Sequence, residues 1–320
     1  MAGNGAQASL LGGMFILKGA HLSFTPSFQD GDIYAGMNSI RLILPDRWLT
    51  VEGVRFEDRR PGDLVIVCLD QHETARLSGD DLLPLLASPS GAVIFADGTT
   101  PAARKAADSL PEGTPVSFIL SLFQAVSLQP GEAELSSRNS WILVERKSPY
   151  RRMFSNLRDL GIKTQAVEDI SACTNSGIIY RLLELPAAMC NVPLSHFLSC
   201  REGRELAIRV LKEGFKTFGK SGHMLGKLPV MDPRELLASL EKKPDKFSEA
   251  RYLPDRSYGG ILQSLLRRRE TDAGELNGRI VVMGKDAGVD TSWNWRLLQK
   301  LPRVQRNGFY PNPSELLKGI

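Results

Sequence analysis

Gly3-Asn4-Gly5-Ala6-Gln7-Ala8, running into Ser9-Leu10-Leu11-Gly12-Gly13-Met14-Phe15-Ile16-Leu17, opens the chain and decides how the rest is read. The spacing is G-x-G-x-x-A. The first glycine permits a tight strand-to-helix turn, the second lets the backbone approach a diphosphate, and the small Ala8 lets the helix pack closely on a sheet. The helix that follows points its unbonded N–H groups and positive dipole end at that diphosphate. Gly3, Asn4, Gly5, Ala6, Gln7 and Ala8 are therefore the candidate cofactor-binding residues. Such a glycine pattern is also ordinary turn chemistry, so its context matters. Gly19-Ala20-His21-Leu22-Ser23-Phe24-Thr25 reads as helix stop, turn and strand, which continues a βαβ unit. Only Met1-Ala2 stands where the motif needs a strand. The expectation is a late start codon with a first strand of about five or six residues missing; the alternative is a domain without its central strand.

The 320 residues suit two domains better than one core. Hydrophobic content of 42% and charged content of 24% are those of an ordinary globular protein. The net charge of +4 is mild, and Arg267-Arg268-Arg269 and Tyr150-Arg151-Arg152 sit in helical patterns as solvated faces, so no nucleic-acid partner is expected. Cys68, Cys173, Cys190 and Cys200 show no C-x-x-C pairing, which reads as reduced thiols in a cytoplasmic protein. The four histidines lack H-E-x-x-H spacing, so no metal is expected. No apolar run approaches the roughly 20 residues that span a bilayer, so no membrane partner is expected either.

Along the chain, Ile40–Val54 has a strand-like pattern with a turn at Pro45-Asp46, the pattern of a short antiparallel insertion. Leu64-Val65-Ile66-Val67-Cys68-Leu69 and Gly91-Ala92-Val93-Ile94-Phe95-Ala96 are continuous apolar runs between turn residues, which is how strands buried on both faces look. Val116–Leu120, Phe123–Leu128 and Trp141–Glu145 read as further strands, with a turn at Gln129-Pro130-Gly131-Glu132. The fold class is therefore α/β: a Rossmann-like doubly wound sheet over residues 1–147, its first strand apparently truncated, then a helical domain over 148–320. Tyr150–Leu160 reads as helix stopped by Gly161, Ile162–Val167 as a last short strand, and almost everything from Glu168 onward has helical period, including a helix ended by Gly219.

Two C-terminal blocks carry a resemblance. Arg269-Glu270-Thr271-Asp272-Ala273-Gly274-Glu275-Leu276-Asn277-Gly278 followed by Gly288-Val289-Asp290-Thr291-Ser292-Trp293-Asn294 resembles the ketopantoate reductase (2-dehydropantoate 2-reductase) family of pantothenate biosynthesis, as do Leu185–Pro193, Asp63–Val67 and the opening glycines. The resemblance implies reduction of a 2-keto acid by NADP or NAD, with a small-molecule substrate and, as an open option, a homodimer. In that family a lysine protonates the developing alkoxide, an asparagine one turn later positions substrate, and a glutamate binds substrate hydroxyls. Those positions fall here on Ser176, Tyr180 and Asp272, the three candidate catalytic residues. The family's cofactor-side lysine falls on Asp70, its Asn-Gly on Asp97-Gly98, the aspartate after its glutamate on Gly274, and the arginine for a 2′-phosphate on Ser27. Asp97 is retained as a cofactor-side candidate.

These exchanges have consequences. Lys→Asp beside a polyanionic cofactor exchanges attraction for repulsion. A serine at its ordinary pKa cannot deliver a proton as an ammonium can. Tyr180 and Arg181 are the nearest replacements, Tyr180 as a phenolic acid or simply as a packed aromatic. Asp97 and Asp272 as a general acid/base pair is the weaker reading beside two loop or cap aspartates. Two functions follow: an NAD(P)-dependent oxidoreductase whose substrate is not ketopantoate, or a catalytically inactive paralogue that keeps the fold to bind a ligand or partner. There is no G-x-S-x-G elbow and no G-x-x-x-x-G-K loop, which sets aside serine hydrolysis and phosphoryl transfer.

Overall fold

The computed structural model describes residues 1–3, 5–25, 37–56, 61–88, 90–127, 129–137, 139–230, 232–242 and 259–320. Asn4, Ser27 and Leu128 lie outside them. The chain forms two compact units, Met1–Ile170 and Ser171–Ile320.

The first unit contains strands β1 (Ser23–Phe24), β2 (Ser39–Ile43), β3 (Trp48–Glu52), β4 (Arg55–Phe56), β5 (Leu64–Val67), β6 (Ala92–Phe95), β7 (Val116–Leu122), β8 (Ala125–Val126), β9 (Glu132–Leu135), β10 (Ser140–Glu145) and β11 (Ile162–Val167). Its helices are α1 (Ala6–Leu17), α2 (Gln71–Thr74), α3 (Gly79–Leu82), α4 (Pro101–Asp108) and α5 (Arg151–Ser155). Strands β5, β6 and β7 pair in parallel, β10 runs antiparallel to β7, and β11 runs parallel to β10. β1 pairs in parallel with β4.

The two groups of strands are joined by the first residues of the chain. Ala2 bridges Thr25 on one side and Val67 on the other, both in the parallel sense. The Ala2 N–H donates to Ile66 O at 2.8 Å, the Gly3 N–H to Thr25 O at 2.9 Å, and the amides of Thr25 and Cys68 donate back to Met1 and Ala2. The strand order is therefore β4, β1, Met1–Gly3, β5, β6, β7, β10, β11, whose first six members form the 3-2-1-4-5-6 arrangement of a dinucleotide fold. Met1–Gly3 stands in the central position, bonded on both edges as a short strand, so the alternative of a domain without its central strand does not hold. A cavity of about 370 Å³ lies beside it, lined among others by Met1, Leu22, Ser23, Leu64 and Ile66.

A second sheet, in the order β3, β2, β9, β8, was only half visible in the sequence. The hairpin β2–β3 matches the expected insertion, and Glu132 both closes the expected turn, its amide donating to Gln129 O at 3.2 Å, and begins β9, which pairs in parallel with β2. Helix α1 is held between the two sheets. An added Cβ on Gly12 would stand 2.7 Å from Phe24 Cε1 of the first sheet, and one on Gly13 would stand 2.9 Å from Leu42 Cδ2 of the second. Leu10, Leu11 and Met14 are fully buried, so α1 is apolar all round, as a helix covered on both sides must be. The first unit extends past the expected junction at 147/148 because β11 pairs with β10 along its whole length and Phe154 of α5 is buried in the same core.

The second unit comprises α6 (Ile170–Arg181), whose first residue lies at the junction, then α7 (Glu184–Met189), α8 (Leu194–Ser199), α9 (Arg201–Lys220), α10 (Pro233–Lys242), α11 (Gly260–Leu266), a π-turn (Gly274–Gly278), α12 (Arg279–Asp286), α13 (Ser292–Asn307) and α14 (Pro313–Gly319). No strand occurs among its described residues. Helix α9 runs one residue past the expected stop at Gly219. Its buried face of Leu206, Val210, Leu211 and Phe218 packs with Ile179, Leu183, Leu276 and Leu297 in one core. No helix of the described residues is long and apolar enough to cross a membrane.

Candidate active site

In the first unit the opening turn has the shape its sequence requires. Gly3 has φ +114°, and an added Cβ would collide with the carbonyl oxygen of Cys68 and stand 3.0 Å from its carbon. Only glycine fits. Gly5 is different: its φ of −61° suits any residue, and an added Cβ would meet nothing within 4 Å. That open face above the N-terminus of α1 is the cradle a diphosphate needs. Gly5 caps α1 without a side-chain hydrogen bond, and the first turn of the helix carries no acidic residue. Its leading N–H groups thus have no intrahelical acceptor. Ala6 begins the helix and Ala8 is fully buried, so the close helix–sheet contact expected of it is made. The Gln7 side-chain Nε2 is buried and lacks a hydrogen-bond partner. These features fit a dinucleotide's diphosphate.

At the carboxyl ends of β5 and β6 the chain carries acid. Asp70 precedes α2, and its carbonyl accepts from the Thr74 amide at 2.9 Å. Asp97 accepts from Gln71 Nε2 at 2.9 Å. Gly98, at φ +75°, turns the chain towards Thr100, whose side chain caps α4 by accepting from the Ala103 amide at 3.2 Å. Burial, helped by the charge of Asp97, pushes the Cys68 thiol far up, so it is no nucleophile.

In the second unit the three catalytic candidates have different fates. Ser176 is fully buried, and its hydroxyl donates to the Gly226 carbonyl at 2.6 Å. The neighbouring Asn175 Nδ2 donates to Met224 O at 3.0 Å, and the Gly226 amide donates to Ala172 O. The segment Met224–Gly226 thus lies along this part of α6. Tyr180, one turn further on, is 6% exposed, and its hydroxyl is buried without a hydrogen-bond partner. Burial, then the nearby charge of Glu184, pushes this phenol well above its ordinary range, so it stays protonated. Asp272, also buried, accepts from Arg181 Nη2 at 3.2 Å, while Arg181 Nε donates to Glu184 Oε1 at 3.2 Å. Arg181 therefore links α6, α7 and Asp272, two residues before the π-turn, a type of turn frequent at functional sites. Glu184 was missed in the sequence, although its i,i+3 spacing from Arg181 was a usable signal.

The most specific stretch of the sequence resemblance proves to be scaffold. Asn277, in the π-turn and fully buried, donates to Leu182 O at 3.2 Å and to Asn294 Oδ1 at 2.8 Å. Asn294 Nδ2 donates to Glu213 Oε2 at 2.7 Å, and Glu213 also accepts from the amides of Trp293 and Asn294. One carboxylate from α9 thereby ends the first turn of α13. Burial raises the Glu213 carboxyl above its usual range, against the pull of those donors.

The chain is thus a dinucleotide-type α/β unit followed by a unit that is helical among the described residues and built on such a network. Residues 178–305 match the family model described as ketopantoate reductase PanE/ApbA C terminal. The C-terminal unit belongs to that domain family, and the chain as a whole has the ketopantoate reductase fold. It is similar to the crystal structure of a PanE/ApbA family ketopantoate reductase from Ralstonia eutropha JMP134, at 16% identity over 96% of this chain and 99% of that one, with a TM-score of 0.75. It is similar to D-mandelate dehydrogenase solved with NADH, at 14% identity over 96% and 98%, TM-score 0.72. It is also similar to 2-dehydropantoate 2-reductase from Methylococcus capsulatus, at 17% identity over 95% and 96%, TM-score 0.67. No curated protein matches the chain.

Proposed function

We propose that this protein is an NADPH- or NADH-dependent reductase of a 2-keto acid or related carbonyl compound other than ketopantoate. The observation that carries this reading is the Tyr180 hydroxyl: buried, protonated and without a partner, one helical turn beyond the position where the family's proton donor stands. When bound, the reduced nicotinamide supplies the hydride to the carbonyl carbon. Gly5 and the free N–H groups of α1 hold the diphosphate. The Tyr180 hydroxyl donates a hydrogen bond to the carbonyl oxygen and passes it the proton as the alkoxide forms. The alkoxide takes the phenolic proton as it forms, and water returns one to the phenolate once product leaves. Arg181, tied to Asp272 and Glu184, fixes the end of α6 on which Tyr180 stands.

The test is titration with NADPH and NADH by fluorescence, then turnover over a panel of 2-keto acids. Tyr180→Phe is expected to lower kcat by roughly 10²-fold or more and to leave nucleotide affinity in place. Absence of binding of either nucleotide, or full turnover by Tyr180→Phe, overturns the proposal. The second reading, an inactive relative that keeps the fold, is favoured by one observation: the Ser176 hydroxyl is engaged by Gly226 O. Turnover of any panel member that Tyr180→Phe removes counts against it.

A further inference from the structure

Between α9 and α10 the chain crosses the part of α6 that carries two of the catalytic candidates. Cys173, Ser176 and Tyr180 are spaced three and four apart, so they stand along one stripe of that helix. Over the first part of the stripe lies the segment 223–227. Asn175 Nδ2 donates to Met224 O at 3.0 Å, Ser176 Oγ to Gly226 O at 2.6 Å, and the Gly226 amide to Ala172 O at 2.8 Å. Cys173 Sγ faces the same segment, 3.9 Å from Lys227 O. Ser176 is fully buried, and so is the Tyr180 hydroxyl. A long side chain on a helix leans back over the turn before its own Cα, which for Tyr180 is the turn at Ser176.

The segment is tied at its ends and lies lightly in between. At one end Gly222 turns at φ +73°, and the His223 amide donates to Phe218 O at 3.0 Å while its ring meets the Phe218 ring edge-on. At the other end Asp232 accepts from the Leu228 amide at 3.1 Å and the Arg234 amide at 2.9 Å, and Arg234 Nη2 donates to Leu225 O at 2.7 Å. Met224 and Lys227 are exposed and Leu225 is only partly buried, so hydrogen bonds do more than apolar area to hold the segment to α6. A stretch held in that way opens at lower cost than the packed helices around it. Its closest approach is at Gly226, where an added Cβ would stand 2.7 Å from the Cys173 amide nitrogen and 3.0 Å from the Ala172 carbonyl carbon. The φ of Gly226 is not positive, so what this glycine supplies is room for the segment to close.

We infer that residues 223–227 form a lid over the Cys173–Ser176–Tyr180 stripe of α6, lifting between Gly222 and the Asp232 anchor to bring the Tyr180 hydroxyl within reach of the carbonyl substrate. The substrate's part in this rests on the reductase reading; the lid itself does not. Lifting breaks the three bonds to Ala172, Asn175 and Ser176, and no covalent step is involved. Closed, the lid keeps water from the phenol.

Cys173 reports the lid without turnover, because its thiol is 4% exposed and lies directly beneath Gly226. Mass-resolved labelling of the full chain with iodoacetamide is expected to speed at Cys173 by about tenfold or more in Gly226→Ala, whose methyl group holds the lid off α6. In Asn175→Ala, which loses one bond to the lid, the expected gain is about fivefold. Cys190 lies outside the lid and keeps its rate in both variants; should Gly226→Ala speed Cys190 as well, Asn175→Ala decides. In wild type, amide hydrogen exchange of the 223–227 peptide is expected to run ahead of the α9 core and to ignore low urea. The kcat/KM for any 2-keto acid that is reduced should rise in the two variants in step with Cys173 labelling. If no keto acid is reduced while Cys173 responds as stated, the reductase reading falls and the lid stands. If Cys173 labels alike in all three proteins, or 223–227 exchanges only together with α9, or kcat/KM ignores the variants that speed labelling, the lid is overturned.

Discussion

Gly3 and Gly5 both belong to the opening motif, yet the structure gives them different jobs, and a pair of alanine substitutions separates them. In Gly3→Ala the methyl group must displace the main chain at Cys68, where the carbonyl carbon would stand 3.0 Å away. The residue must also hold φ +114°, which costs a non-glycine residue on the order of 1–3 kcal/mol before any collision is counted. With the collision, about 3 kcal/mol or more is expected, lowering the melting transition of the first unit by roughly 6–12 °C at 2–4 °C per kcal/mol. In Gly5→Ala the methyl group meets nothing within 4 Å and the backbone needs no change. The small loss in N-cap preference is offset by reduced freedom of the unfolded chain, for a net effect within about 0.5 kcal/mol. The new methyl does occupy the open face above α1. If a diphosphate lies there, nucleotide affinity should fall about tenfold or more, the equivalent of about 1.4 kcal/mol. Fluorescence titration with NADH and NADPH, beside a melt of each variant, reads both quantities. Gly5→Ala binding as tightly as wild type would refute the cradle. Gly5→Ala melting as low as Gly3→Ala would refute the reading of free space at that residue.

Three other outcomes follow from the second unit and the thiols. Glu213→Ala leaves the amides of Trp293 and Asn294 and the Asn294 side chain without their acceptor, so it should cost about 3–5 kcal/mol, read as a lower urea midpoint of the helical unit. Because burial raises the folded carboxyl above its unfolded value, the unfolded chain gives up that proton first as pH climbs. The stability that Glu213 contributes should therefore fall as pH rises from the ordinary carboxylate range through the raised value, and Glu213→Gln should remove that slope in urea titrations. Burial pushes the Cys190 thiol up to about 12 and raises Cys68 further, so iodoacetamide at pH 8 should spare both in the folded protein. Cys200, the one cysteine that is not buried, should be modified ahead of them in a mass-resolved time course.

The parts of the fold that were legible share a local cause. Leu64–Val67 and Ala92–Phe95 are buried on both faces and carry no polar interruption, so a parallel sheet was readable from composition alone. Gly161 at φ +94° stops the short helical stretch before β11 where the sequence placed the stop. What escaped depends on contacts between distant residues. Strand β9 has the sequence Glu132-Ala133-Glu134-Leu135, which alternates but is short and acidic, and only its pairing with β2 makes it a strand. The role of Met1–Gly3 was hidden for the same reason: three residues show no period, and their strand character comes from the ladders on either side. Among the site candidates, Ser176 and Tyr180 stand on α6 and Asp272 before the π-turn, and the Gly226 carbonyl that engages Ser176 is 50 residues away in sequence. No spacing rule reaches it.

The residues that carry the resemblance and the candidate catalytic residues do different structural work in this chain. Asn277 and Asn294 bond to each other and, through Glu213, fix α13 against α9. Each is fully buried, so replacing either leaves unsatisfied polar atoms in the core. Those residues hold the helical unit together whatever the reaction is. Ser176, Tyr180, Glu184 and Asp272 stand outside that network: the Ser176 hydroxyl donates to one carbonyl, Glu184 and Asp272 pair with Arg181, and the Tyr180 hydroxyl has no protein partner. A fold maintained by the first set is free to carry a different second set. Buried atoms without a partner occur in both sets, since Asn277 Oδ1 has none either, so such an atom does not by itself mark a ligand site. What the Tyr180 hydroxyl adds is its place one turn beyond Ser176, and turnover by Tyr180→Phe separates a proton donor from a packed aromatic.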